Sequence, residues 1–181
     1  DDTAKTEHYD VLLTAMVMRL RQLFRDDSLP FLNVQLPMWI AAGDEDKHDW
    51  ARLRLAQARA AIALQPGGLA ILLDCGEFDN IHPTDKRTPG ERLCDVALRV
   101  VYGMDAPESP RALGKYTQGD TLVVTLSAPV LRRETGELLL EIAGEDGAYH
   151  PVQSVTLDGA EMRLRSVAVL HPAKVRYASV S

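Results

Sequence analysis

The chain has 181 residues, of which 46% are hydrophobic and 25% charged, and it carries a formal net charge of −6. That length suits one full domain, or one and a half smaller ones, with a real core. The negative charge and the lack of any Lys/Arg cluster argue against nonspecific nucleic-acid binding, and no stretch approaches the roughly 18 apolar residues of a membrane span.

In chain order, "DDTAKTEHYD" is polar and lacks a signal-peptide core, which leaves the compartment open. Tyr9, Leu12, Leu13, Met16, Leu20, Leu23 and Phe24 recur at i, i+3, i+4 spacing and predict an amphipathic helix with those residues on its buried face. "FLNVQL" reads as a short buried parallel strand. After the loop "AAGDEDKHD", Asp49 is the expected N-cap of a second helix through Trp50, Leu53, Gln57, Ala60, Ala61 and Leu64. "QPGG" ends that helix, and "LAILLD" predicts a second buried strand. A third helix follows over "GERLCDVALRVVY". Thr88 is its expected N-cap, Pro89 its first helical residue and Glu91 the partner in a T-x-x-E capping box, with Gly103 as its stop. Helix–strand–helix–strand–helix is the closing part of an open α/β sheet. Two strands cannot bury both faces of such a sheet, so this half reads as part of a domain.

Residues 106–181 change period. "DTLVVTLS", "GELLLEIAG", "YHPVQSVTL", "EMRLRSVAVL" and "KVRYASV" are short strand candidates between Gly, Asp and Pro turns, a pattern that predicts a small antiparallel β-sandwich. "DAPESPRALG" is the expected linker. The expected division is therefore residues 1–105, α/β, and residues 106–181, β-sandwich. Cys75 and Cys94 read as core thiols, with a disulfide between them left open.

Chemistry concentrates in "GEFDNIHPTDKRTPGERL", residues 76–93. Loops beyond the carboxyl ends of strands collect functional groups in open α/β sheets. An Asp three residues before a His, here Asp79 and His82, can fix the imidazole tautomer and leave the other ring nitrogen to act as a base. The plain alternative is a polar turn that starts a helix. A metal site from Asp74, Asp79 and His82 is a weaker option, since no further His or Cys lies at useful spacing, and no metal is expected. His8, His48, His150 and His171 are scattered and read as surface or capping residues. Gln35, inside an apolar run, must find partners and is a candidate site-shaping residue. Arg54 and Gln57 read as a solvated helix face. No serine sits in a nucleophile context such as G-x-S-x-G: Ser28, Ser109, Ser127, Ser154 and Ser166 all lie in turns or strands.

Four motifs follow one another: Leu29-Pro30-Phe31 with Val34-Gln35-Leu36; Leu53-Arg54 with Gln57; Asp79, Ile81-His82-Pro83, Lys86, Gly90 and Arg92-Leu93; and, near the end, "HPAKVRYA". In this order they resemble the sialate O-acetylesterase family of the SGNH-type serine hydrolases. The resemblance covers almost the whole chain. It implies the closing part of an SGNH-hydrolase-like parallel sheet followed by a β-sandwich, and hydrolysis of O-acetyl esters on sugars, sialic acid in particular. It implies His82 as catalytic base, Asp79 as the residue that orients it, and no cofactor. The family's nucleophile segment, "G-Q-S-N-M"-like, and its "W-x-Q-G-E" block do not occur here. The expectation is thus the C-terminal portion of an esterase that needs the N-terminal part of the same protein and is inactive alone. The competing expectation is a noncatalytic glycan-binding or docking module of the same descent. The family is often secreted, periplasmic or lysosomal, and that leaves the location undetermined.

Overall fold

A computed structural model describes residues 3–39, 48–77, 80–132 and 138–179. The chain forms two compact units, Asp1–Ser109 and Pro110–Ser179. The described residues are mixed α/β, with one parallel pair of strands and two antiparallel sheets.

In the first unit a 3₁₀ turn, Thr3–His8, leads into helix α1, Tyr9–Phe24, as the apolar spacing predicts. Its buried face is not the predicted one. Val17 and Arg21 are buried, whereas Leu12, Met16, Leu23 and Phe24 are exposed. The reason lies in the partner. Val17 packs with Ala60 and Leu64 from the second helix segment, and Leu13 and Phe31 close the cluster, so the stripe of Leu12, Met16 and Leu23, about a third of a turn away, stays exposed among the described residues. Arg21 is drawn inward by backbone oxygens: its Nε donates to Leu29 O at 3.0 Å, and its Nη2 to Leu64 O at 3.1 Å and Pro66 O at 3.3 Å. One planar guanidinium thereby ties the turn after α1, the carboxyl end of the second helix and the entry to the second strand.

Strand β1, Phe31–Val34, pairs in parallel with β2, Gly67–Ala70, in the register Phe31↔Gly67 to Val34↔Ala70. The second strand therefore lies two residues ahead of the expected "LAILLD". Apolarity favoured Leu69–Leu73, but close packing decided for the glycines. A Cβ at Gly68 would stand 2.3 Å from Val96 Cγ1, so only glycine lets the third helix lie this close to the strand. After Ala70 the chain turns, with Cys75 N donating to Leu72 O at 3.0 Å.

Helix α2, Asp49–Ala63, starts with His48 in the left-handed conformation (φ 59°) at its N-cap and without a side-chain cap. Asp49, expected there, is instead the first helical residue, where its charge suits the positive end of the helix dipole and meets Arg52 at 3.3 Å. Helix α3 spans Arg87–Val100 and ends ahead of Gly103. Its start also differs from the expected capping box. Asp85 Oδ1 accepts the N–H groups of Arg87 (2.9 Å) and Thr88 (3.1 Å), Pro89 falls in the first turn where no N–H is missed, and Glu91 pairs with Arg87 at 2.6 Å. Asp85 sits three residues upstream of the expected cap and wins because its carboxylate accepts both free amides at once.

The second unit has a four-stranded antiparallel sheet, β3-β4-β8-β7, and a three-stranded one, β6-β5-β9. The strands are β3, Ala112–Gln118; β4, Thr121–Leu126; β5, Leu140–Ala143; β6, His150–Pro151; β7, Ser154–Asp158; β8, Glu161–Arg165; and β9, Lys174–Tyr177. Leu122, Val124 and Leu164 from one sheet and Leu140 and Ile142 from the other share a single buried cluster with Val152 and Val169. Strand β3 begins within the expected linker. It is exposed along its whole length and has no apolar alternation, and only its pairing to β4, with a bulge between Ala112 and Gly114, makes it a strand. The expected strand "YHPVQSVTL" is divided: β6 joins the small sheet and β7 the large one, with buried Val152 at the crossing between them. The part of "GELLLEIAG" at 136–137 lies outside the described residues.

Arg21 supplies the test of this arrangement. Arg21→Met strands three partly or fully buried carbonyls and should lower the stability of the first unit by about 3 kcal/mol. A urea titration should show a lower midpoint at an unchanged slope.

Candidate functional site

The carboxyl ends of β1 and β2 lie side by side, and the segments that leave them, Gln35–Trp39 and Ile71–Lys86, build the site. The first is held by polar side chains of α2. Gln57 Oε1 accepts the N–H of Leu36 at 3.0 Å, and its Nε2 donates to Val34 O at 3.2 Å. A side-chain amide thus takes the two bonds that a neighbouring strand's peptide would supply. Arg54 Nη1 reaches Pro37 O at 3.4 Å, and Gln35 Nε2 donates to Arg54 O at 3.2 Å. Arg54 and Gln57 are only 3% and 4% exposed, so the expected solvated face is a buried one. Gln57 shares that face with Leu53, Ala60 and Leu64 at helical spacing, a signal present in the sequence but overruled there by the residues' polarity. Gln35 is likewise buried, its Oε1 lacks a partner, and it faces α2 while Val34 and Leu36 line the cavity described below. Its contribution is to fix the strand end.

The second segment is fixed by charge. Arg92 grips Asp74 through both guanidinium nitrogens, at 2.6 and 2.8 Å, and also donates to Ile71 O at 2.6 Å. Those bonds, opposed by partial burial, hold the Asp74 carboxyl down at about 2. Burial and the neighbouring Asp74 charge push the Cys75 thiol up. Both cysteines are free, Cys75 half-buried and Cys94 exposed, so neither is the expected core thiol. Gly76 permits the two segments to touch, since a Cβ there would stand 2.7 Å from Pro37 Cβ and 2.9 Å from Met38 O.

His82 rides on a turn built by residues that sequence reading passed over. Glu77 Oε1 accepts both the backbone N–H (2.7 Å) and the hydroxyl (2.5 Å) of Thr84, and Oε2 accepts the Asn80 amide at 2.8 Å. Asn80 Oδ1 in turn accepts the His82 N–H at 3.0 Å. The Thr84 bonds, then the Asn80 bond, keep the Glu77 carboxyl below its usual range. The signal was there in the Asn and Glu that bracket Asp79, since such side chains habitually bond nearby backbone. His82 is exposed, and Asp79 lies outside the described residues. The Asp74 carboxylate is engaged by Arg92, which removes it from the weighed Asp74, Asp79 and His82 metal set, and among the described residues no three His, Cys, Asp or Glu side chains cluster.

Beneath this turn lies a cavity of about 230 Å³, walled by Pro37, Trp39, Trp50, Leu72, Pro83 and Pro89 among others. Trp39 and Trp50 meet edge to face at 5.3 Å. Ile81 and Pro83, the neighbours of His82, both line it. An exposed imidazole thus stands beside an apolar hollow at the carboxyl ends of two parallel strands, the position where open α/β sheets carry their ligands.

Comparison with known proteins bears on what such a site does. No protein-family model and no curated protein matches the chain. Among solved structures, the chain is similar to XAC1771 from Xanthomonas citri, with a TM-score of 0.84 and 34% identity over 94% of this chain. That protein is a carbohydrate acetylesterase. The two share their fold over nearly the whole of this chain. This chain spans 40% of the length of that protein.

Two measurements check the site's framework. Gln57→Leu leaves Val34 O and Leu36 N–H without their partner and should cost about 2 kcal/mol in urea unfolding. The Asp74 carboxyl titrates near 2 when folded and at its ordinary 3.8 when unfolded. Its pairing therefore stabilises fully above about pH 4 and is lost as the pH falls toward 2. Asp74→Asn should be less stable than the parent at pH 6, and the gap should close as acid is added.

Proposed function

We propose that this chain is the C-terminal portion of a carbohydrate O-acetylesterase of the SGNH serine-hydrolase type. In this reading residues 1–105 close its α/β domain, and residues 106–181 form a β-sandwich after it. The observation that carries the reading is the likeness to a carbohydrate acetylesterase over 94% of the chain. The placement of His82 in the loop after β2, on a turn braced by Glu77 and Asn80, is what a base delivered to a strand-end crevice requires.

A serine from the N-terminal part of the same protein attacks the acetyl carbonyl. His82 takes its proton and passes it to the departing sugar hydroxyl, leaving an acetyl-enzyme. Water, deprotonated by His82, then releases acetate. Asp79 orients the imidazole. Gln35 acts at one remove, through the strand end. The exposed stripe of Leu12, Met16 and Leu23 on α1 fits a surface that the N-terminal part covers. The reaction as written calls for no cofactor. Sialic acid carrying a 9-O-acetyl group is the first substrate to try.

The test is acetate release from O-acetylated sugars by the protein in its full length, compared with His82→Ala. Loss of a triad base should cost about a thousandfold or more in kcat/KM. Activity within a few-fold of the parent would make the His82 turn a structural feature only.

A further inference from the structure

We infer that the cavity beside His82 binds an apolar ring or branched apolar group, about the size of a benzene ring or somewhat larger, rather than a sugar ring. Several of the cavity's polar lining groups are already engaged elsewhere. Both ends of the Asn80 amide are engaged, one with Glu77 and the other with the His82 N–H. Asp85 Oδ1 caps α3, and the Cys75 thiol donates to Asp74 at 3.4 Å. Lys86 adds an exposed charge. A sugar ring placed here would trade its water hydrogen bonds for walls of indole, proline and aliphatic carbon, which is unfavourable. An apolar group loses nothing and gains burial.

Size points the same way. Apolar cavities of about 150 Å³ take a benzene ring, and this one holds about 230 Å³. An acetyl methyl would leave most of it empty. Both indoles, edge to face with each other at 5.3 Å, line the hollow, and aromatic rings are surfaces an aromatic guest packs against favourably. That the guest is part of an ester substrate, as a bulky acyl group or an apolar aglycone, rests on the esterase reading above. Binding of the ring itself does not.

Trp39 and Trp50 are the chain's two tryptophans, and both line the cavity, so tryptophan emission reports on this hollow directly. The experiment titrates the 181-residue chain with phenyl β-D-glucopyranoside and, as its matched control, methyl β-D-glucopyranoside. The phenyl glycoside should shift the emission saturably with a Kd at least tenfold below that of the methyl glycoside. Ile81→Ser, on the exposed part of the wall, should weaken it several-fold, and Val34→Phe, which fills the hollow, should abolish the preference. Circular dichroism establishes that each variant is folded, and a variant that fails to fold leaves the other to decide. Equal binding of the two glycosides would make the sugar ring the guest and overturn the inference. Unchanged emission with both, or undiminished binding in the folded variants, would overturn it as well. None of these results touches the esterase reading, which stands or falls on acetate release.

Discussion

Two parallel strands leave a large share of their backbone groups facing outward, and a buried N–H or C=O without a partner costs about as much as a lost hydrogen bond. The first unit meets that constraint with side chains. Gln57 takes the place of a third strand at the end of β1, pairing Val34 O and Leu36 N–H through one amide. Arg54 receives Pro37 O. At the opposite ends of the strands Arg21 collects Leu29 O, Leu64 O and Pro66 O. These polar residues are buried because the backbone around them needs donors and acceptors, and the helices carrying them are thereby fixed in place.

The site inherits its geometry from that solution. With the β1 end pinned by Gln57 and the β2 exit pinned by the Arg92–Asp74 pair, the two loops can come close only where Gly76 removes the side chain between them. The hollow under the His82 turn is the space left between loops anchored on opposite sides. Its apolar character follows from the same economy: the polar groups near it are used to hold the turn and to start α3, and little polarity is left to face a guest. The exposed α1 stripe and the buried Gln35 Oε1 and Asn33 Nδ2, which lack a hydrogen-bond partner among the described residues, are places where the unit's own residues leave a surface or an atom unsatisfied.

Much of this was legible in the amino-acid order. Helices α1, α2 and α3, strand β1 and the central strands of the second unit follow from apolar period and from Pro and Gly punctuation, because those signals are local. The concentration of chemistry in residues 76–93 was legible too, through the crowding of turn formers and titratable groups, and the motifs in that stretch carry the resemblance to an esterase family. Which face of α1 is buried, where β2 begins, and that Arg54 and Gln57 point inward were not legible. Each depends on a partner distant in sequence: Val17 on Ala60 and Leu64, Gly68 on Val96, and Gln57 on Val34 and Leu36.

The sequence by itself therefore determined the elements, their approximate order and the loop on which His82 is carried, since these rest on spacing within a few residues. Only the tertiary structure decided the glycine start of β2, the division between β6 and β7 and the apolar hollow. Those features come from backbone groups and surfaces meeting across tens of residues, where a polar side chain is buried if it completes a hydrogen bond and an apolar one is left exposed if nothing in the chain comes to cover it.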